Sequence, residues 1–211
     1  MKVTTLVTIA IILYGTIWIG TIVGMALLRR GDKRARQIRT WLLNKRIEQF
    51  QRSPFKNMLR LWIAGRFFLT SFTFLFVIII PAALLYFVVG IILITPVLTL
   101  YQGLVVGLLI GRYDRRHMVW ALIVGPFEFG YWALSGALGI SVTAAALFGD
   151  LSFGQSFLAA VDTFLSGYWI PITICILVNA FGEVAGPIYW KITGPISLEA
   201  LSKGEPLDED G

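Results

Sequence analysis

The chain is poor in the residues on which most enzymes depend. It holds one histidine, His117, and one cysteine, Cys175, among 211 residues. A lone cysteine permits no intrachain disulfide and leaves the redox compartment open. A lone histidine excludes a haem-ligating histidine pair, and neither a metal-ligand cluster nor a phosphate-binding glycine loop is present. Charge is scarce too: Asp, Glu, Lys and Arg make up 14% of the residues, against ~25% in an average soluble domain. Apolar residues take their place, at 57% of the chain, and these proportions define an integral membrane protein.

Apolar runs cover Val3–Leu28, Phe67–Gly111, Met118–Phe148 and Phe164–Trp190. Each exceeds the ~20 residues that carry a helix across a ~30 Å hydrocarbon core. The second run is 45 residues long, enough for two crossings, and a turn near Val89 and Gly90 divides it. The expected fold is therefore an all-α membrane protein with five transmembrane helices plus one basic cytoplasmic or interfacial helix. Val3–Leu28 is too long for a signal-peptide core and lacks a small-residue cleavage site, so it is expected to be retained. The organisation reads as a first transmembrane helix (1–28), a basic cytoplasmic segment (29–66), a four-helix membrane core (67–190) and an acidic tail (191–211). No internal repeat or low-complexity tract interrupts it.

Of the 18 Lys and Arg residues, 12 lie between Arg29 and Arg66 and three more, Arg112, Arg115 and Arg116, precede the fourth helix. Positive loops stay in the cytoplasm. Five crossings put both loops on one face with Lys191 and Lys203, and leave Lys2, Asp150 and Asp162 on the other. The cell-membrane orientation this gives is N-terminus outside and C-terminus cytoplasmic. The segment KRARQIRTWLLNKRIEQFQR (33–52) reads as a helix near the membrane, with Ile38, Trp41 and Leu42 on one stripe and Leu43, Ile47 and Phe50 on another about half a turn away. The positive-inside bias accounts for the net charge of +6, so membrane lipid is an expected partner and nucleic acid is not. The end of the chain, SKGEPLDEDG, has nothing to bury and is expected to be disordered.

In lipid, helices associate through close packing of small residues. Such residues recur at every fourth position as Gly20 and Gly24, as Gly103, Gly107 and Gly111, as Ser135, Gly139 and Thr143, and as Gly182 and Gly186. They imply a tight bundle, a homo-oligomer, or both. Pro81, Pro96, Pro126, Pro171 and Pro187 each remove a backbone donor, so kinks are expected there.

Polar residues at depth are the most informative. Glu128 lies ten residues from Met118, about 15 Å into the membrane at 1.5 Å per residue; Glu183 is eight residues from Lys191, about 12 Å; Gln102 is ten from Arg112, about 15 Å. With Asn179, one turn from Glu183, they form a polar layer near the midplane. Ionised carboxylates there cost at least ~2.5–3.5 kcal/mol each and must face the protein interior, a water-filled cavity or a partner chain. The topology places no Lys or Arg inside the hydrocarbon. At least one carboxyl is thus expected to be protonated at neutral pH, or hydrogen-bonded to Gln102, Asn179, Tyr131 or the backbone opened at Pro126.

Catalytic arrangements fail on geometry. Leu134-Ser135-Gly136 resembles the nucleophile of intramembrane serine proteases, but His117 precedes Ser135 by 18 residues on one helix, about 27 Å away. Tyr113-Asp114 and Gly149-Asp150 resemble the pairs of intramembrane aspartyl proteases, yet the topology puts the two aspartates on opposite faces. The chain is expected not to be an enzyme and to hold no cofactor or metal.

NMLRLWIAG (57–65), a proline-containing helix pair, LTLYQGLVVGLLIG (98–111) and VGPFEFGYWALSGALGI (124–140) occur in that order. Across residues 55–145 this pattern resembles the stage II sporulation protein M family of integral membrane proteins. Tyr101, Gln102 and Gly103 match the family's aromatic-polar-glycine step, and Gly125, Phe127 and Glu128 match the start of its next helix. Many members have an asparagine where Gln102 stands, and a proline-histidine pair where this chain has Ile123 and Val124. The resemblance implies a polytopic membrane partner of other proteins, the namesake acting with cell-wall-degrading proteins, and a structural or ligand-contacting Glu128. Together these readings give a non-enzymatic membrane scaffold that oligomerises or organises other membrane proteins. The alternatives are a channel or transporter whose pathway passes the carboxylate layer, and an accessory subunit whose aromatic surface is covered by cofactor-bearing partners.

Overall fold

A computed structural model of the chain describes residues 3–112, 115–190, 192–193 and 196–204. Lys2, Tyr113, Asp114, Lys191 and the acidic residues after Gly204 lie outside the described residues, as do the side chains of Arg115, Arg116 and His117.

Helix α1 (Val3–Arg29) ends at Gly31, whose φ of 76° turns the chain into α2 (Lys33–Phe50). Asp32 caps α2 by accepting from the Ala35 amide at 2.8 Å, satisfying one of the helix's orphan donors. A short helix α3 (Phe55–Ile63) follows, and α4 (Phe67–Phe74) runs through a π-helical turn at Leu75–Ile79 into α5 (Ile80–Ile91). That turn ends just before Pro81, whose missing N–H loosens the ladder one turn back. Beyond the turn at 92–94 come α6 (Thr95–Ile110) and the long α7 (Arg115–Phe148). Helix α8 (Phe153–Thr163) leads through a second π-helical turn, Phe164–Tyr168, into α9 (Trp169–Trp190). Gly167, with φ 135°, breaks the helix there, four residues before Pro171, whose ring would meet the Gly167 carbonyl. A hairpin of β1 (Ile192–Thr193) and β2 (Ile196–Ser197) and the helix α10 (Leu198–Lys203) close the described chain.

The chain is thus an all-helical membrane protein in its main body. Four stretches are long and apolar enough to cross a membrane: Thr4–Arg29, Phe67–Ile91, Met118–Phe148 and Phe153–Gly186. The fifth apolar helix, α6, has 16 residues, about 24 Å at 1.5 Å per residue and short of a ~30 Å core.

Glycines set the close approaches between these helices. A Cβ on Gly103 would lie 2.9 Å from the Ile17 carbonyl carbon, and one on Gly107 3.0 Å from the Met25 amide nitrogen. Gly20 and Gly24 face the same interface, where Cβ atoms would lie 2.8 Å from the Leu104 nitrogen and 2.9 Å from that of Leu108. Gly111 closes the seam against Leu28. The pairing rises in step along both chains, so α1 and α6 run parallel. Helix α5 meets α7 the same way through Gly90 and Gly139, and the Thr143 hydroxyl donates to the Ile91 carbonyl. Helix α9 runs antiparallel to α7: Gly182 packs on Val124, Gly130 on Cys175, and the Tyr168 hydroxyl donates to the Leu134 carbonyl at 3.3 Å. The recurring small residues are used inside one chain, and so give no support to an oligomer.

At the end of the bundle that carries the basic segment, α2, α3 and α10 form a cap. Leu43, Ile47 and Phe50 pack with Met58, Leu59 and Trp62 of α3 and with Ile196, Leu198 and Leu201. The Phe50 and Trp62 rings stack at 5.6 Å, and the Gln51 side-chain amide donates to the Leu201 carbonyl. The segment beginning at 191 therefore folds in part.

Several expectations shift. The turn lies at 92–94 rather than at Val89 and Gly90, because Gly90 is a packing glycine held against Gly136 and Gly139; Leu93, with φ 59°, makes the reversal. Pro96 sits in the first turn of α6, where the missing N–H costs nothing and no kink results. Of the two stripes on α2, the one with Leu43, Ile47 and Phe50 is buried, whereas Ile38 and Trp41 are exposed. Helix α8 opens on a Ser152–Gln155 capping box, a start signal legible in the sequence.

Candidate functional site

One cavity of about 640 Å³ lies inside the bundle below the cap. Helical spacing decides which residues reach it. On α7, Ala121, Gly125, Glu128, Phe129 and Trp132 recur at three- and four-residue intervals and form one wall. On α6, Gln102, Val105, Val106 and Leu109 turn toward it, on a different face from Gly103 and Gly107. Glu183 and Gly186 of α9, Trp18 and Thr21 of α1, and Phe74, Val77 and Ile78 complete the sides. Helix α2 roofs it with Leu42, Lys45, Arg46 and Gln49.

Gln102, Glu128 and Glu183, from three different helices, thus meet at one space. Both glutamates are half-buried and line the cavity. They interact with each other electrostatically, and Arg46 acts on both. Lys45, also in the lining, is paired with Glu48 at 2.8 Å on the exposed side of α2, and that hydrogen bond holds the Glu48 carboxyl below its ordinary range. Among the described residues, and with Lys45 matched by Glu48, the charges directed at the cavity are therefore two carboxylates and one guanidinium.

Asn179 is buried one turn before Glu183 but does not line the cavity, and its Oδ1 has no hydrogen-bond partner among the described residues. Gly182 packs on a side chain rather than on a backbone. Gly182 meets the Val124 side chain, with a Cβ there 2.7 Å from a methyl carbon, and the Trp120 indole donates to its carbonyl at 3.3 Å. Gly186 lines the cavity. Gly125 also opens it: a Cβ there would touch nothing within 4 Å.

Two features escaped the sequence reading. Arg46 belongs to the basic helix α2, and only the placing of α2 over the bundle brings it into the same lining as the carboxylates. The aromatic wall is the other. Trp18 meets Phe129 edge-on at 5.2 Å, Phe129 lies 5.7 Å from Trp132, and Tyr86 stacks on Trp132 at 5.3 Å. Trp132 follows Glu128 by four residues, so for that ring the i, i+4 pattern carried the signal.

Beyond Trp132 the bundle is packed. Ala10, Leu13, Ala133 and Ala137 form one cluster and Leu6, Leu138, Val142 and Ala160 another, with Gly90 and Gly139 in backbone contact beside them. On that side the cavity is therefore closed. No group of three or more metal-ligating side chains occurs among the described residues.

Fold and site together define a polytopic helical membrane protein with an acidic, aromatic pocket beneath a basic cap. Comparison with protein-family models, with curated proteins and with solved structures gives no match to this chain.

Proposed function

We propose that the chain is a non-enzymatic membrane carrier that accepts one positive charge at the Glu128–Glu183 pair. The observation that carries this reading is the convergence of Gln102, Glu128 and Glu183 with Arg46 on one pocket. Two carboxylates against one guanidinium leave a deficit of one positive charge when both are ionised, and a proton or a monovalent cation makes it up. Packing beyond Trp132 argues for alternating access rather than an open pore, since a pore needs a continuous polar path.

The topology that goes with this reading has five crossings, with the N-terminus outside and the C-terminus cytoplasmic. Its supports are the parallel course of α6 along α1, the parallel course of α5 along α7 and the antiparallel course of α9, together with the basic residues of α2 and α3 at one end.

Liposomes containing the purified protein and a trapped pH dye test the reading. Addition of a monovalent cation is expected to move protons, and Glu128→Gln is expected to slow that movement by roughly tenfold or more, the factor that ~1.4 kcal/mol of lost attraction gives. The variant should elute like the parent protein on gel filtration. Equal flux in parent and variant, or no flux from the parent, overturns the proposal.

A second reading is the scaffold, in keeping with the resemblance to the stage II sporulation protein M family. The exposed Ile38 and Trp41 of α2 and Ile63 of α3 favour it, because a cap with apolar residues on its outer side suits a protein partner. Partners that co-purify with the parent protein but not with Trp41→Ala would support it.

A further inference from the structure

The carboxylate pair is surrounded by more hydrocarbon and aromatic surface than a proton or a metal ion can use. A bare ion needs a tight cage of oxygen ligands at ~2.0–2.6 Å, whereas this pocket measures about 640 Å³, within the ~300–1,000 Å³ of small-molecule sites. Trp18, Trp120, Phe129 and Trp132 line it beside Glu128. Aromatic faces attract organic cations through the ring quadrupole, and desolvation strengthens that attraction. The Tyr86 hydroxyl, on a ring stacked against Trp132, is 2% exposed, has no hydrogen-bond partner among the described residues, and interacts electrostatically with Glu128.

The pocket also reaches the outer surface of the bundle. Leu122 lines it and is 51% exposed. Val105 and Leu109 of α6 lie in the same lining, so an apolar strip joins the carboxylates to the surface that faces lipid. On α2, Ile38 and Trp41 are exposed, Trp41 one turn before the lining residue Lys45 and two before Gln49.

We infer that the ligand is an organic monocation with an apolar body, its charge held between Glu128, Glu183 and the aromatic wall, its body against α6 and α7, entering from the lipid side at Leu122. This rests on the cation reading above and narrows it from any positive charge to one chemical class. Glycine at 125 is then explained as well, since a side chain there would occupy the space the body needs.

The test is equilibrium binding of radiolabelled tetraphenylphosphonium to the full chain in phosphatidylcholine nanodiscs, with methylammonium and potassium as competitors. Glu128→Gln, Glu183→Gln and Gly125→Leu are measured alongside, each checked for an unchanged thermal midpoint. Saturable binding is expected in the parent protein, weakened by roughly tenfold or more in each glutamine variant, the factor given by ~1.4 kcal/mol. Gly125→Leu, which alters no charge, is expected to abolish it. Neither competitor should displace the probe at large excess. Displacement by methylammonium at concentrations matching the probe's overturns the inference and leaves the carrier reading standing, since such a site uses the charge alone. Saturable binding of neither cation overturns both. Parent-like binding in both glutamine variants puts the probe elsewhere and also overturns the inference. Because the glutamine variants are isosteric, they keep the test decisive if Gly125→Leu fails to fold.

Discussion

Replacing Gly103 and Gly107 together by alanine tests the seam on which the bundle depends. The added Cβ atoms would lie 2.9 Å from the Ile17 carbonyl carbon and 3.0 Å from the Met25 amide nitrogen, where ordinary contact needs ~3.5–4.0 Å. The obstructing atoms are backbone, the Ile17 and Thr21 carbonyl oxygens nearest of all, so no rotamer change can absorb them, and α6 must move off α1 by on the order of 1 Å. A gap of that size forfeits a quarter to a half of each contact well along the seam. Overpacking costs ~1–3 kcal/mol per site, and two sites on one interface couple rather than add, which gives ~2–5 kcal/mol for the pair. Alanine's better helix propensity returns up to ~1 kcal/mol per position. Gly15→Ala is the reference for that gain, because a Cβ at Gly15 meets nothing within 4 Å. The assay is reversible unfolding in mixed detergent and sodium dodecyl sulfate micelles, followed by circular dichroism. A double variant within ~0.5 kcal/mol of the level expected for uninvolved surface changes would refute the packing argument. So would a stable double variant whose only defect is a loss of oligomers, since the glycines would then join separate chains.

Two further outcomes are expected. Leu93→Gly should stabilise the chain by ~0.5–1 kcal/mol, because a left-handed conformation costs a side-chain-bearing residue ~1–2 kcal/mol and glycine's greater unfolded-state freedom offsets part of the relief; a lower unfolding midpoint would contradict this. Trp62→Ala removes a side chain that is 1% exposed and stacked on Phe50, so it should cost the cap ~3–5 kcal/mol. Trypsin cleavage at Arg52 and Lys56 should accelerate while the helical signal of the bundle persists, and unchanged resistance would show that the cap does not rest on this contact.

Apolar runs made the helical membrane class legible, because a segment in lipid must satisfy its own backbone hydrogen bonds and so becomes a helix. The fixed helical rise put Gln102, Glu128 and Glu183 at similar distances from their helix ends, and those three line one cavity. Asn179 shows where that reasoning stops. It lies one turn from Glu183 but not in the cavity lining, because the rotation of α9 about its own axis sends it into packed protein. Gly90 gives the same lesson along the chain: glycine permits a turn and a close helix contact equally, and α7 chose the contact.

The sequence by itself determined that the long apolar runs become helices, how far along its helix each polar residue lies and which end carries the positive charge, since all three follow from local composition and a constant rise. Tertiary structure alone decided that the glycine stripes serve one chain, that Arg46 reaches the carboxylates from the cap, and that aromatic rings line their pocket. The physical reason is that periodicity fixes a residue's height and face on its own helix, whereas its neighbour depends on how helices rotate and tilt to bring small residues together, a choice made by contacts between segments far apart in the chain.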